Sequence, residues 1–249
     1  MASKTVGTLI RVDSPDAIAG AASSRIARVL VDAIRERGHA SLALSGGNTP
    51  APTYRALAAH RDVDWSKVEV LWVDERAVPA DHARSNTKLG RDTLVTGARV
   101  PEERVHPMDG AAADLEGAAA DYERKVRRVV PPDASGGPSV FDVVVLGIGD
   151  DGHTASLFPG SPWVHERKKY VVAVPAEGAR EARLSLTAPV IESARTVFVL
   201  AAGSAKAGPI GRVYAETGSL DETPARILRS AKGAVVWIVD AAAVPAAAP

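Results

Sequence analysis

Phe141-Asp142-Val143-Val144-Val145-Leu146 runs directly into Gly147-Ile148-Gly149-Asp150-Asp151-Gly152-His153-Thr154-Ala155-Ser156-Leu157-Phe158-Pro159-Gly160. A short, nearly continuous apolar run closed by a glycine turn reads as a strand buried on both faces, which is the habit of parallel sheets covered by helices. The same kind of run recurs at Ala40–Ser45, Val68–Asp74, Tyr170–Val174, Thr196–Ala201 and Ala234–Val239. Between these runs lie segments with helical spacing. Ser14-Pro15 supplies an N-cap and a first-turn proline, and Ile18, Ile26, Val29, Leu30 and Ile34 then form one apolar stripe that ends before Gly38. Thr49-Pro50 repeats the start signal, and a third helix is expected over Ala111–Val129, stopped by Pro131-Pro132 before the turn Ser135-Gly136-Gly137-Pro138. Strands alternating with helices predict an α/β fold with a doubly wound, mostly parallel sheet flanked by helices, Rossmann-like in outline. Neither a repeat nor a strong boundary divides the chain, so residues 1–240 are expected to form one domain, with a frayed Ala/Pro-rich tail over 241–249.

In such sheets ligands bind beyond the carboxyl ends of the strands, so the loops after the strands carry the chemistry. The turn at 147–152 formally satisfies the glycine pattern of a dinucleotide site. Asp150 and Asp151 exclude that use, because a pyrophosphate would lie against two carboxylates in a partly dry turn. The turn is better suited to presenting His153, with Asp151 close enough to orient it or stabilise its charge, as for a general base near neutral pH. His39, His60, His82, His106 and His165 lack such surroundings in the sequence.

Two further loops stand out. Ser45-Gly46-Gly47-Asn48-Thr49-Pro50 opens a helix, and its glycines, free N–H groups and hydroxyls fit an anion site. A plain tight strand-to-helix turn fits the same residues, and the Gly-Lys-Ser/Thr ending of a nucleotide P-loop is missing. Asp74-Glu75-Arg76 follows the next strand, where an arginine can bind an anion or stabilise developing negative charge, although taken alone the three residues favour a solvated loop with a local ion pair.

The composition narrows the classes. The 249 residues carry 30 Lys plus Arg against 30 Asp plus Glu, so the net charge is zero and nothing points to a nucleic-acid partner. Cysteine is absent, which rules out disulfides, thiolate metal sites and a thiol nucleophile. Neither an apolar run of spanning length nor a secretory leader is read, so a cytoplasmic protein without a membrane partner is expected. No His-x-x-x-His or comparable cluster suggests a metal.

Together, Ser-Gly-Gly-Asn-Thr-Pro at 45–50, Trp-Val-Asp-Glu-Arg at 72–76 with Ser85-Asn86 downstream, the 147–159 block, Arg183 with Leu186-Thr187, and Gly203-Ser204-Ala205-Lys206-Ala207 resemble the 6-phosphogluconolactonases. These belong to the glucosamine-6-phosphate isomerase/6-phosphogluconolactonase family and act in the oxidative pentose phosphate pathway. The related glucosamine-6-phosphate deaminases share the Gly-Asp-Gly-His core but typically continue differently from Thr154-Ala155-Ser156-Leu157-Phe158. The resemblance implies a deaminase-like fold, phosphate recognition by Ser45, Gly46, Gly47, Asn48 and Thr49 with Arg183 and Lys206, and a catalytic His153 supported by Asp151. It further implies hydrolysis of 6-phospho-D-glucono-1,5-lactone without metal or organic cofactor. Arg76 is the candidate for stabilising the oxyanion or ring oxygen, and Asp74 is placed in the site with its role open. A sugar-phosphate lactone is the expected partner and the monomer the expected state. The rivals are an amino-sugar-phosphate deaminase or isomerase and a non-catalytic sugar-phosphate sensor.

Overall fold

Continuous apolar strands need cover on both faces, and the chain provides it by winding in two directions from the middle of a sheet. The computed structural model describes residues 6–132 and 136–245. In chain order the strands are β1 (Thr8–Val12), β2 (Ala40–Leu44), β3 (Val68–Trp72), β4 (Asp74–Arg76), β5 (Val105–His106), β6 (Val143–Leu146), β7 (Val171–Val174), β8 (Arg183–Leu186), β9 (Thr196–Ala201) and β10 (Ala234–Asp240). The helices are α1 (Pro15–Arg37), α2 (Pro50–Ala58), α3 (Asn86–Gly90), α4 (Thr96–Ala98), α5 (Leu115–Val129), α6 (Ala188–Ser193) and α7 (Ala207–Tyr214), joined by several 3-10 turns and a π turn at Arg91–Val95.

Seven strands form one wholly parallel sheet in the order β1-β10-β9-β6-β2-β3-β5. Every residue of β2, β3 and β6 is buried, as the apolar runs demand. From β2 the chain winds through β3 to β5, then crosses to β6 and winds the other way through β9 and β10. The direction therefore reverses between β2 and β6, and the loops leaving these two strands face each other across the switch point.

Helix α1 begins as expected, with the Ser14 side chain accepting from the Ala17 N–H and Pro15 in the first turn. Its buried stripe is Ile18, Ala22, Ile26, Leu30 and Ala33, with Val29 and Ile34 half-buried at the margin. The stripe lies over β1, β2, β6, β9 and β10. At the amino ends of the strands the buried Asp142 carboxylate accepts from Arg37, from the Ser41 N–H and from the Ser41 hydroxyl, all at 2.8–3.0 Å. This pins α1 to the sheet, and the Asp142 N–H is taken by the Ser41 hydroxyl at 3.0 Å, so β6 begins at Val143 and not at Phe141.

Several expectations need correction. The Tyr170–Val174 run is not part of the parallel sheet: Val171–Val174 belongs to a separate antiparallel sheet of order β4-β8-β7. A four-residue apolar run carries no mark of the sheet it will join. The strand read as Val68–Asp74 ends at Trp72, and Asp74 opens β4. The third helix starts at Leu115, because the Asp114 side chain caps it by accepting from the Gly117 N–H, and not at Ala111. Thr49 has helical backbone angles and makes no side-chain cap. Of the tail from Ala241, the first three residues form a 3-10 turn capped by Asp240, with Ala243 buried; residues 246–249, and Ser135 of the expected turn, lie outside the described residues. Among the described residues no helix is long and apolar enough to cross a membrane.

Candidate active site

The loops leaving β2, β3, β6 and β9 enclose a cleft of about 430 Å³ at the carboxyl edge of the sheet. Ser45, Gly46, Gly47, Asn48, Thr49, Asp74, Arg76, His153, Arg183 and Lys206 all line it. Asp151 does not; it stands behind His153 and accepts from both its ring Nδ1, at 2.7 Å, and its backbone N–H, at 2.9 Å.

That doubled contact decides the histidine's tautomer. Partial burial pushes the Asp151 carboxyl up, but the hydrogen bonds from the His153 ring and backbone outweigh it and bring the group down to about 2. An ionised carboxylate only accepts, so Nδ1 carries a proton, and in the neutral tautomer this leaves Nε2 as the ring's acceptor. The turn leaves no room for error: a Cβ on Gly149 would overlap His153 Nδ1 and Asp151 Oδ1. Arg212 braces the same turn by donating to the Asp151 carbonyl at 3.1 Å and to Thr223 Oγ1 at 3.0 Å. The Phe158 ring lies 4.8 Å from the imidazole, and the Arg180 guanidinium sits over Phe158 at 3.6 Å.

Asp74-Glu75-Arg76 is not a solvated loop. Asp74 and Glu75 are buried. The Glu75 carboxylate receives the backbone N–H groups of Arg76, Asn86 and Thr87 and the Ser85 hydroxyl, all at 2.7–2.8 Å, so its charge is spent on the start of α3. This fixes Asn86, which donates to the Asp74 carbonyl at 2.8 Å and accepts from Arg76 Nη1 at 2.8 Å. The Arg84 carbonyl accepts a second bond from Arg76 Nη1 at 2.5 Å. Ser156 donates to Asp74 Oδ2 at 2.7 Å, tying this network to the loop that carries His153. Asp74 thus acts as a strut between the two loops.

Cations face the cleft from three directions. Arg76 and Arg183 are directly opposed in the β4–β8 register. Like charges in that position repel unless an anion lies between or beside them. Burial pulls the Arg183 guanidinium down while Asp74 raises it, and its Nε is buried without a partner. Lys206 reaches in from the turn after β9. At the opposing loop, the Tyr54 hydroxyl bonds both the N–H and the carbonyl of Ser45, at 3.0 and 2.9 Å, whereas Ser45 Oγ is buried and unpaired. Gly46 packs so closely on Asn86 that any Cβ would overlap its Oδ1. The arrangement can hold an anion among its cations and present the His153 imidazole in the same cleft. Among the described residues no group of three His, Asp or Glu side chains could hold a metal ion.

The family model for glucosamine-6-phosphate isomerases/6-phosphogluconolactonase matches residues 13–237. The chain belongs to this family. A 6-phosphogluconolactonase of Synechocystis sp. is 39% identical over 211 residues, which span 85% of this chain and 86% of that protein. The family's 6-phosphogluconolactonase from Trypanosoma brucei has a solved structure that superimposes with a TM-score of 0.85 at 30% identity, covering 95% of this chain and 97% of that one. A monomeric glucosamine-6-phosphate deaminase superimposes at a TM-score of 0.77 over 95% of this chain and 98% of that chain, and at 22% identity shares the fold alone.

Sequence reasoning misses Asn86, Ser156 and Glu75 as organisers of the site. Ser85-Asn86 enters the family resemblance without a role, and Ser156 carries no separate signal, since its partner Asp74 is distant in the chain. The reading that the other histidines lack comparable surroundings also needs correction, because His106 and His165 each hold a carboxylate from elsewhere in the chain.

Proposed function

We propose that this chain is a 6-phosphogluconolactonase, hydrolysing 6-phospho-D-glucono-1,5-lactone to 6-phospho-D-gluconate. The observation that carries the reading is a single cleft in which an Asp-oriented imidazole with a free Nε2 faces a set of cations that includes two directly opposed arginines. A δ-lactone is an activated ester, so orientation, proton acceptance and stabilisation of a tetrahedral oxyanion suffice. His153 Nε2 takes a proton from the water that attacks C1. The oxyanion forms beside Arg76, whose guanidinium is held by Arg84 and Asn86. On collapse the C1–O5 bond breaks and the imidazolium returns its proton to O5, leaving a C1 carboxylic acid that ionises to the product carboxylate. The 45–49 loop, Arg183 and Lys206 take the 6-phosphate, so that binding energy far from C1 sets its position.

Residues 1–240 act as one sugar-phosphate-binding domain, and the absence of cysteine is compatible with a reducing cytoplasm. The decisive test is hydrolysis of freshly generated lactone, corrected for spontaneous opening, run beside ammonia release from glucosamine 6-phosphate. Rapid lactone opening without ammonia is expected; ammonia without lactone opening would replace this reading with the deaminase. Prolonged EDTA treatment is expected to leave the rate unchanged, and loss restored by one divalent ion would refute the metal-free step.

A further inference from the structure

The 149–152 turn carries two consecutive carboxylates, and they hold different residues of the cleft. Asp151 holds His153. Asp150 instead accepts from Lys206 Nζ at 2.6 Å. The pair is asymmetric: the Lys206 side chain is 24% exposed and lines the cleft, whereas Asp150 is 70% exposed and stands outside it. The turn is closed by Gly152 N–H donating to the Gly149 carbonyl and Gly149 N–H donating to the His153 carbonyl, at 3.0 and 2.8 Å, so Asp150 is anchored in a braced loop.

Resting on the reading of this cleft as a sugar-phosphate site, we propose that Asp150 is a specificity-determining residue: it competes with the ligand's phosphate for Lys206 and holds affinity for phosphorylated ligands below what the cations would give alone. An ammonium has three donors and can serve both partners, but a phosphate dianion drawn to Lys206 approaches the Asp150 carboxylate and is repelled by it. Arg212, which braces the turn, bonds the Asp151 carbonyl and not Asp150, so among the described residues Lys206 is the one cation paired with the Asp150 carboxylate.

The test is Asp150→Asn, which preserves shape and removes charge at an exposed position. The effect of an exposed ion pair is modest, so KM for the phosphorylated lactone and the calorimetric Kd for 6-phosphogluconate should each fall about two- to fivefold. KM for glucono-δ-lactone, which lacks the phosphate, should stay where it is. In a Lys206→Met background the same substitution should lose most of its effect. If Asp150→Asn raises Kd and KM or leaves them unchanged, Asp150 merely positions Lys206 and the proposal is overturned. An equal gain with and without Lys206 overturns it as well, since the charge would then act without competing for the lysine. A wild-type chain that binds 6-phosphogluconate yet opens no lactone would refute the lactonase reading alone, because the calorimetric comparison still decides the role of Asp150. Failure to bind it at all would refute both.

Discussion

Two histidines of this chain each hold a carboxylate at nearly the same distance, in opposite settings. His153 Nδ1 meets Asp151 at 2.7 Å with side chains 34% and 48% exposed, on the edge of the cleft. His106 Nε2 meets Glu69 at 2.6 Å with side chains 10% and 11% exposed, at the edge strand of the parallel sheet. Arg104 also bonds Glu69, so that carboxylate's charge is shared between two partners, and neither His106 nor Glu69 lines the cleft. A His–carboxylate pair is therefore no signature of catalysis. What separates the two is place: His153 stands on a loop that lines the cleft, whereas His106 lies within β5 and away from it.

The largest effect should come from removing each imidazole in turn. His153→Ala is expected to lower kcat by about 10²- to 10⁴-fold with the fold retained, while His106→Gln leaves kcat within about twofold. Undiminished turnover in the first variant would erase the distinction between the pairs. Next in size is Arg183→Ala, which should reduce the preference for phosphorylated over plain lactone by about tenfold to a hundredfold, the range for one charge-assisted hydrogen bond. An equal decline on both substrates would move Arg183 from phosphate recognition to the fold or the reacting centre.

The buried pair should instead show itself in stability. His106→Ala leaves Glu69 with one partner fewer and should cost about 1–3 kcal/mol in denaturant unfolding, without a change in KM. A cost below about 0.5 kcal/mol, the ordinary scale of surface substitutions, would mean that solvent replaces the imidazole freely. The smallest expected effect concerns acid. The Asp151 carboxyl titrates lower in the folded chain, at about 2, than its ordinary 3.8. The folded state thus binds this proton less readily than the unfolded chain, so the contribution is full above about pH 4 and fades as the pH falls towards 2. Unfolding midpoints of wild type and Asp151→Asn should converge over that interval, and a gap that persists at pH 2 would remove the ionic part of the pair.

Much of the site is legible in the sequence because it is local. His153 and Asp151 stand two residues apart in one glycine turn, so their meeting depends on a few backbone angles. The 45–50 loop and its helix are equally local, as are the boundaries of β9 and the start of α1. The roles of Asp74 and Glu75 are not legible in this way. Three charges in a row look solvated until α3 brings its backbone N–H groups onto the Glu75 carboxylate and Ser156 arrives at Asp74. The Tyr170–Val174 run is misread for the same reason, since its partners β8 and β4 are chosen by pairing and not by composition.

By itself, then, the sequence determined the alternation of strands and helices, the absence of thiol chemistry, and the glycine turns at 45–50 and 147–153. These follow from apolar periodicity, residue type and short-range backbone preference. Only the tertiary structure decided that Arg76 faces Arg183, that Asp150 takes Lys206 while Asp151 takes His153, and that these groups gather in and around one cleft. Apart from the Asp151–His153 pair, those contacts join residues far apart in the chain: antiparallel pairing of β4 with β8 sets Arg76 against Arg183, and the reversal of winding between β2 and β6 gathers the remaining loops at one edge of the parallel sheet.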